Sequence, residues 1–228
     1  MTDTELVAAI RAGIGGAGDP ERARAQQAYM KSEMPYRGIG SPELRGILKP
    51  LLRDYVPASR ESWTATVLEL WDGATHREEW YAALDVARHR RARPWLDPGS
   101  LELWRHLVVT GAWWDVVDAI DAHLVAPTLV GHREQVTPVV REWMVDDHLW
   151  LRRTAVLSQL GARGETDVDL LRDAVERNVE DRTFWLRKAI GWALRDHART
   201  DPDWVRAEVA RLGDRLSGLS RREALRHL

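Results

Sequence analysis

The sequence predicts an all-α fold, a curved α-solenoid built from repeated helix pairs. Three observations carry this. Apolar residues recur at three- and four-residue spacing almost throughout, alternating β-branched runs are absent, and tryptophans return at a nearly constant long period. Breakers punctuate the helical pattern at short intervals: Gly15-Gly16, Pro35 to Gly40, Asp97-Pro98-Gly99, Gly161 to Gly164, Asp201-Pro202 and Gly218. Ser41-Pro42-Glu43 reads as an N-cap, a proline at the first helical position and an acidic first turn. Asp146-Asp147-His148 reads as a polar cap before a helix at Leu149, and Thr200-Asp201-Pro202 as a further helix start. Roughly a dozen helices joined by short loops are expected, with no linker long enough to separate two domains. Residues 1–228 are therefore expected to form a single domain.

The long period defines the repeat. Trp80, Trp114, Trp150 and Trp185 lie 34, 36 and 35 residues apart. Similar segments follow three of them: Trp80-Tyr81-Ala82-Ala83-Leu84, Trp150-Leu151-Arg152-Arg153-Thr154 and Trp185-Leu186-Arg187-Lys188-Ala189. Such a period in an all-helical chain indicates stacked pairs of helices. Arrays of this kind curve, and their inner helices line a concave surface suited to a long partner.

Composition narrows the function classes. The chain has 228 residues, a formal charge of −2 and no cysteine. Disulfides, thiolate metal sites and cysteine nucleophiles are excluded, which fits a cytoplasmic setting. Met1-Thr2-Asp3-Thr4-Glu5 lacks the basic start and apolar run of a signal peptide, and no apolar run is long enough to span a membrane. A nearly balanced charge means that any phosphate-binding surface must be local. Lysine occurs only at Lys31, Lys49 and Lys188, so 30 of the 33 basic residues are arginine. Coding bias explains this, as does the suitability of arginine for phosphate contact.

The most informative stretch is Gly111-Ala112-Trp113-Trp114-Asp115-Val116-Val117-Asp118. Trp113, Val116, Val117, Ile120 and Leu124 make an ordinary buried helix face. Trp114 and Asp118 lie on a different stripe, one turn apart. An indole face attracts cations and a carboxylate stabilises them, so the pair suits a positively charged species. Counted from each anchor tryptophan, Trp114, Arg153, Asp118, Lys188 and Trp192 occupy positions 0, +3, +4, +3 and +7, a single helical stripe. In the last repeat Leu186, Ile190, Ala193 and Leu194 form a separate apolar stripe. Two readings remain: a line of functional groups along the concave groove, or a core stripe in which Asp118 and Arg153 form a buried ion pair. The charges on the stripe and the separate apolar stripe favour the groove.

Other chemistry is poorly represented. The eight histidines show no HExxH or other paired ligand spacing, so no metal is expected, and there is no G-x-S-x-G, P-loop or dinucleotide fingerprint. Two basic clusters, Arg88-His89-Arg90-Arg91-Ala92-Arg93 and Ser220-Arg221-Arg222-Glu223-Ala224-Leu225-Arg226, read either as solvated helix faces or as phosphate contacts.

Several segments together resemble the AlkD-like DNA alkylation-repair glycosylases, which are built from HEAT-like repeats. These are Ala28-Tyr29-Met30-Lys31, Gly38-Ile39-Gly40-Ser41-Pro42-Glu43-Leu44-Arg45, Trp113 to Asp118, Trp150-Leu151-Arg152-Arg153, Lys188-Ala189-Ile190-Gly191-Trp192-Ala193-Leu194-Arg195 and Leu219 to Ala224. They run in collinear order from about residue 20 to the C-terminus. The resemblance implies excision of cationic N3- or N7-alkylated purines from double-stranded DNA, without a cofactor and without a base-binding pocket; a monomer is expected. It implies that Trp114 and Trp192 contact the deoxyribose, that Asp118 stabilises the charged sugar, and that Arg153 and Tyr29 hold DNA. Lys188, Arg195, Arg221 and Arg222 are further candidate DNA contacts. Pro35-Tyr36-Arg37 departs from the bulkier apolar residues usual in the family.

The chemistry agrees with that implication. An N3- or N7-alkylated purine is already cationic and leaves without a general acid. What needs stabilising is an oxocarbenium-like sugar, and a fixed anion does this best. Asp118 supplies the anion and can orient water, while the two indoles favour the developing charge. A lyase step would need an amine nucleophile, and three lysines favour a monofunctional enzyme. The competing readings are a glycosylase for bulky adducts in natural-product self-resistance, a non-catalytic helical-repeat scaffold for a protein partner, and an inactive DNA-binding relative.

Overall fold

The computed structural model describes Met1–Leu228 and is all-α, with no strand. The chain divides into two compact units, Met1–Trp95 and Leu96–Leu228. The first holds α1 (Thr4–Gly15), α2 (Pro20–Met30), α3 (Ser41–Arg53), α4 (Arg60–Asp72) and α5 (Arg77–Ala87). The second holds α6 (Leu101–Gly111), α7 (Trp114–Ile120), α8 (Ala126–Gly131), α9 (Arg133–Trp143), α10 (Leu149–Leu157), α11 (Val168–Asn178), α12 (Phe184–His197), α13 (Pro202–Leu212) and α14 (Gly218–Ala224). A π-helical segment, Asp121–Val125, joins α7 to α8 without a break.

Most helix starts follow the expected chemistry. Asp201 caps α13 by accepting from the Trp204 N–H, with Pro202 at the first helical position. His148 precedes α10, and its N–H donates to Asp146. Two starts differ. The cap of α3 is Gly40, and Ser41 is already helical; Glu43 reaches back to the Gly40 N–H, so the carboxylate and not the serine hydroxyl closes this end. Gly218 opens α14 and does not separate helices, because Ser217 caps that end through the Ser220 N–H.

In the first unit α4 and α5 pack around Trp63, Val67, Leu70, Trp71, Ala83 and Val86, all buried. Trp80 stacks on Trp71 with centroids 4.7 Å apart and donates its indole N–H to the Trp71 carbonyl. The Pro35 to Gly40 loop is held by buried Glu78, whose carboxylate accepts from the backbone N–H groups of Arg37, Gly38 and Ile39 at 3.0–3.1 Å. This satisfies three loop donors that would otherwise be buried without a partner.

The second unit carries the repeat. Helices α7, α10, α12 and α14 pack side by side in that order, and α9, α11 and α13 pack against the same row. Val116, Val117, Ile120, Leu151, Leu186, Ile190 and Leu194 are almost wholly buried, as the apolar stripes require. Cross-repeat bonds keep the period: Arg153 to Asp118, Lys188 to Glu223 and Arg211 to Glu176 each join residues 35 apart.

Candidate nucleic-acid repair site

The site begins at the turn between α6 and α7. Ala112 sits at φ 29°, in the left-handed region, so the chain reverses within two residues and Trp113 becomes the N-cap of α7. Trp114 is then the first helical residue and Asp118 lies one turn on, on the same face. Both are partly exposed.

Arg153, on the neighbouring α10, fixes the Asp118 carboxylate. Its Nε donates to Oδ1 at 2.9 Å and its Nη2 to Oδ2 at 3.0 Å, a two-pronged contact that sets the carboxylate plane. Its Nη1 donates to the Trp185 carbonyl on α12 at 2.7 Å, so one guanidinium ties three successive helices of the row together. The guanidinium carbon lies 5.9 Å from the Trp150 ring and 5.8 Å from the Trp185 ring. Trp113, Trp150 and Trp185 pack on one another with centroids 5.3–5.9 Å apart. The pair is unevenly buried: 2% of the Arg153 side chain is exposed, against 18% for Asp118. Burial pushes the Asp118 carboxyl up from its ordinary value, and Arg153 opposes that shift.

The structure forms the ion pair that one reading of the stripe expects, with Arg153 buried and Asp118 partly exposed. Arg153, for which the resemblance implies a phosphate contact, is sealed beneath Asp118, and Asp118 keeps an open side. The repeat frame also slips by one residue here. Trp113 joins the indole cluster of Trp150 and Trp185, which leaves Trp114 outside it.

The remaining candidates sort by partner. Lys188 donates to Glu223 at 2.5 Å, and Arg195 pairs with the same buried carboxylate. Burial, with Arg195, Arg226 and Arg153 nearby, lowers the Lys188 pKa. Trp192 lies one turn beyond Lys188 on α12 and is partly exposed. Arg221 donates back to the Gly213 carbonyl at 2.5 Å, whereas Arg222 is exposed. Tyr29 belongs to the first unit, near the end of α2, and is 77% exposed.

Residues 10–228 match the family described as DNA alkylation repair enzyme. The chain belongs to that family. A structure described as a predicted DNA alkylation repair enzyme from Enterococcus faecalis superposes with a TM-score of 0.82 at 29% identity, covering 92% of this chain and 96% of that one. No curated protein matches the chain. Membership of a DNA alkylation repair family makes DNA the substrate. No helix is long and apolar enough to cross a membrane.

Two further residues belong to this candidate site, and no sequence motif singles them out. Asp121, at +7 from Trp114, is fully buried beside the Asp118–Arg153 pair. Its position in the frame matches that of Trp192, which is the signal that marks it. Glu223 lies 35 residues beyond Lys188, as Arg153 lies 35 beyond Asp118. The row of helices α7, α10, α12 and α14 therefore carries acid, base, base and acid at one period.

Proposed function

We propose that this protein is a monofunctional DNA glycosylase that hydrolyses the N-glycosidic bond of cationic N3- and N7-alkylated purines in double-stranded DNA, acting as a monomer without a cofactor. Residues 1–228 work as one domain in this reading, as the family match across both units supports. The carrying observation is a carboxylate, Asp118, held in one orientation by a buried guanidinium yet open on one side beside Trp114.

An alkylated purine departs without protonation, so the protein has to stabilise the sugar cation left behind. Asp118 supplies a preorganised charge in a partly water-excluded setting, where it acts more strongly than in bulk solvent. Trp114 and Trp192 flank the sugar. Arg153 is a positioning residue that fixes the Asp118 plane. Tyr29, Lys188, Arg195, Arg221 and Arg222 are proposed DNA contacts, with Glu223 holding Lys188 and Arg195 in place.

Release of free base from methylated duplex DNA under single-turnover conditions tests the proposal. Asp118→Asn should still bind duplex and lose about 10²–10³ in excision rate, the usual cost of removing one fixed charge from a developing ion. A rate within about threefold of wild type, less than 1 kcal/mol, sinks it.

A further inference from the structure

The ion pair that builds the site also neutralises it. Asp118 and Arg153 together carry no net charge, so a cation arriving at Asp118 meets a dipole. One turn beyond, Asp121 adds a second carboxyl. It is 0% exposed, and neither of its oxygens has a hydrogen-bond partner. It also opens the π-helical segment, with its carbonyl accepting from the Ala126 N–H. Single π-turns of this kind are frequent at functional sites, and a carboxyl buried without a partner is costly to keep.

The charged groups around Asp121 are few. Asp118 on α7 and Arg153 on α10 act on it directly. Of the other charges on the packed elements, Asp115 on α7 is partly exposed, His123 on the π-helical segment is exposed, Glu102 and Arg105 on α6 are exposed, His106 is partly so, Arg152 on α10 pairs with Asp181, and α8 carries none. Burial drives the Asp121 carboxyl well above its ordinary value, Asp118 drives it further, and Arg153 opposes both.

We propose that Asp121 is a charge reserve for the site: uncharged in the free protein, it gives up its proton when a cationic lesion or sugar reaches Asp118, so the site becomes net negative as positive charge enters. The inference rests on the reading of Asp118 as the carboxylate that faces the sugar. The carboxyl O–H bond breaks, its electron pair stays on oxygen, and the proton passes to solvent water. After the product departs the proton returns. Asp121 touches no substrate and acts only through its field at Asp118.

Two duplexes test this, one with a protonated pyrrolidine in place of the target sugar and one with neutral tetrahydrofuran. Proton release on binding is measured by calorimetry in buffers of different ionisation enthalpy. Wild type should release close to one proton with the pyrrolidine duplex and close to none with the tetrahydrofuran duplex. Its preference for the cation should rise by up to about tenfold per pH unit while Asp121 remains protonated in the free protein. Asp121→Asn, or Asp121→Ala should the amide not fold, should lose both the release and the pH dependence. No release from wild type, or release unchanged in the Asp121 variants, overturns the inference. If neither protein prefers the cation at any pH, the proposed role of Asp118 fails; if both prefer it equally and without pH dependence, only the charge reserve fails.

Discussion

Arg153 and its neighbour Arg152 show how burial decides what one side chain is worth. Arg152 pairs with Asp181 at 3.2 Å, but both groups keep solvent contact, so Arg152→Ala should cost less than about 1 kcal/mol. Arg153 is sealed between two indoles and Asp118. Removing it strands a largely desolvated carboxylate, and Arg153→Ala should cost about 3 kcal/mol in chemical denaturation. Excision should fall in the same variant, because the carboxylate loses its fixed plane. The salt dependence of DNA binding should stay as in wild type, since a sealed guanidinium releases no counterion. A flatter salt slope would return Arg153 to the phosphate role. Asp118 also predicts a pH profile. Its carboxyl is raised by burial and, in the proposed reaction, has to be ionised, so excision should fall on acidification at a higher pH than for a solvent-exposed carboxylate. Stability runs the other way. A carboxyl raised in the folded state favours folding while protonated, so its contribution is present below the unfolded value and lost as pH rises through the folded one. Asp121 is raised the more strongly of the two. Wild type should therefore lose stability relative to Asp121→Asn as pH climbs above the ordinary carboxylate range, and parallel stability curves would contradict this.

At the scale of elements, the contact between α12 and α14 holds the cationic end of the row. A Cβ on Gly191 would lie 2.6 Å from the Glu223 Cβ and 2.9 Å from the Ser220 carbonyl oxygen, so glycine permits the close approach. That approach lets Glu223 reach both Lys188 and Arg195, and lets the Ser220 hydroxyl donate to the Arg187 carbonyl. Gly191→Ala forces the helices apart and should cost about 1–3 kcal/mol, the usual range for overpacking. It should also loosen Lys188 and Arg195 and weaken duplex binding. A thermal midpoint and affinity equal to wild type would show that α14 moves freely.

For the whole molecule, a formal charge of −2 confines any phosphate attraction to local groups. Affinity for undamaged duplex should be nearly independent of sequence and should drop between low and physiological salt; salt-independent binding would contradict the proposal. Lesion choice should follow charge and not base shape. N3-methyladenine and N7-methylguanine should be released, and larger alkyl groups should cost little while the positive charge remains. Uracil, hypoxanthine and 1,N6-ethenoadenine should stay in place. Duplexes with one defined lesion each, scored for free base, check this, and rapid uracil excision would defeat the Trp114–Asp118 assignment.

The sequence alone determined the all-α class, the 35-residue period and the apolar stripes, because helical periodicity and tryptophan recurrence are local properties of the chain. It also marked Trp114, Asp118, Arg153, Lys188 and Trp192 as one stripe. Only tertiary structure decided which of these face solvent. Trp113 and Trp114 are chemically identical neighbours, and the left-handed Ala112 turn determines which one enters the indole cluster. Arg153 reads in the sequence either as a groove cation or as half of a buried ion pair, until α12 closes over it with the Trp185 carbonyl. Asp121 reads as one more helical aspartate, yet packing removes all its solvent and leaves it without a partner. The physical reason is common to all three: desolvation belongs to the packed set of helices, and no single segment of the sequence carries it.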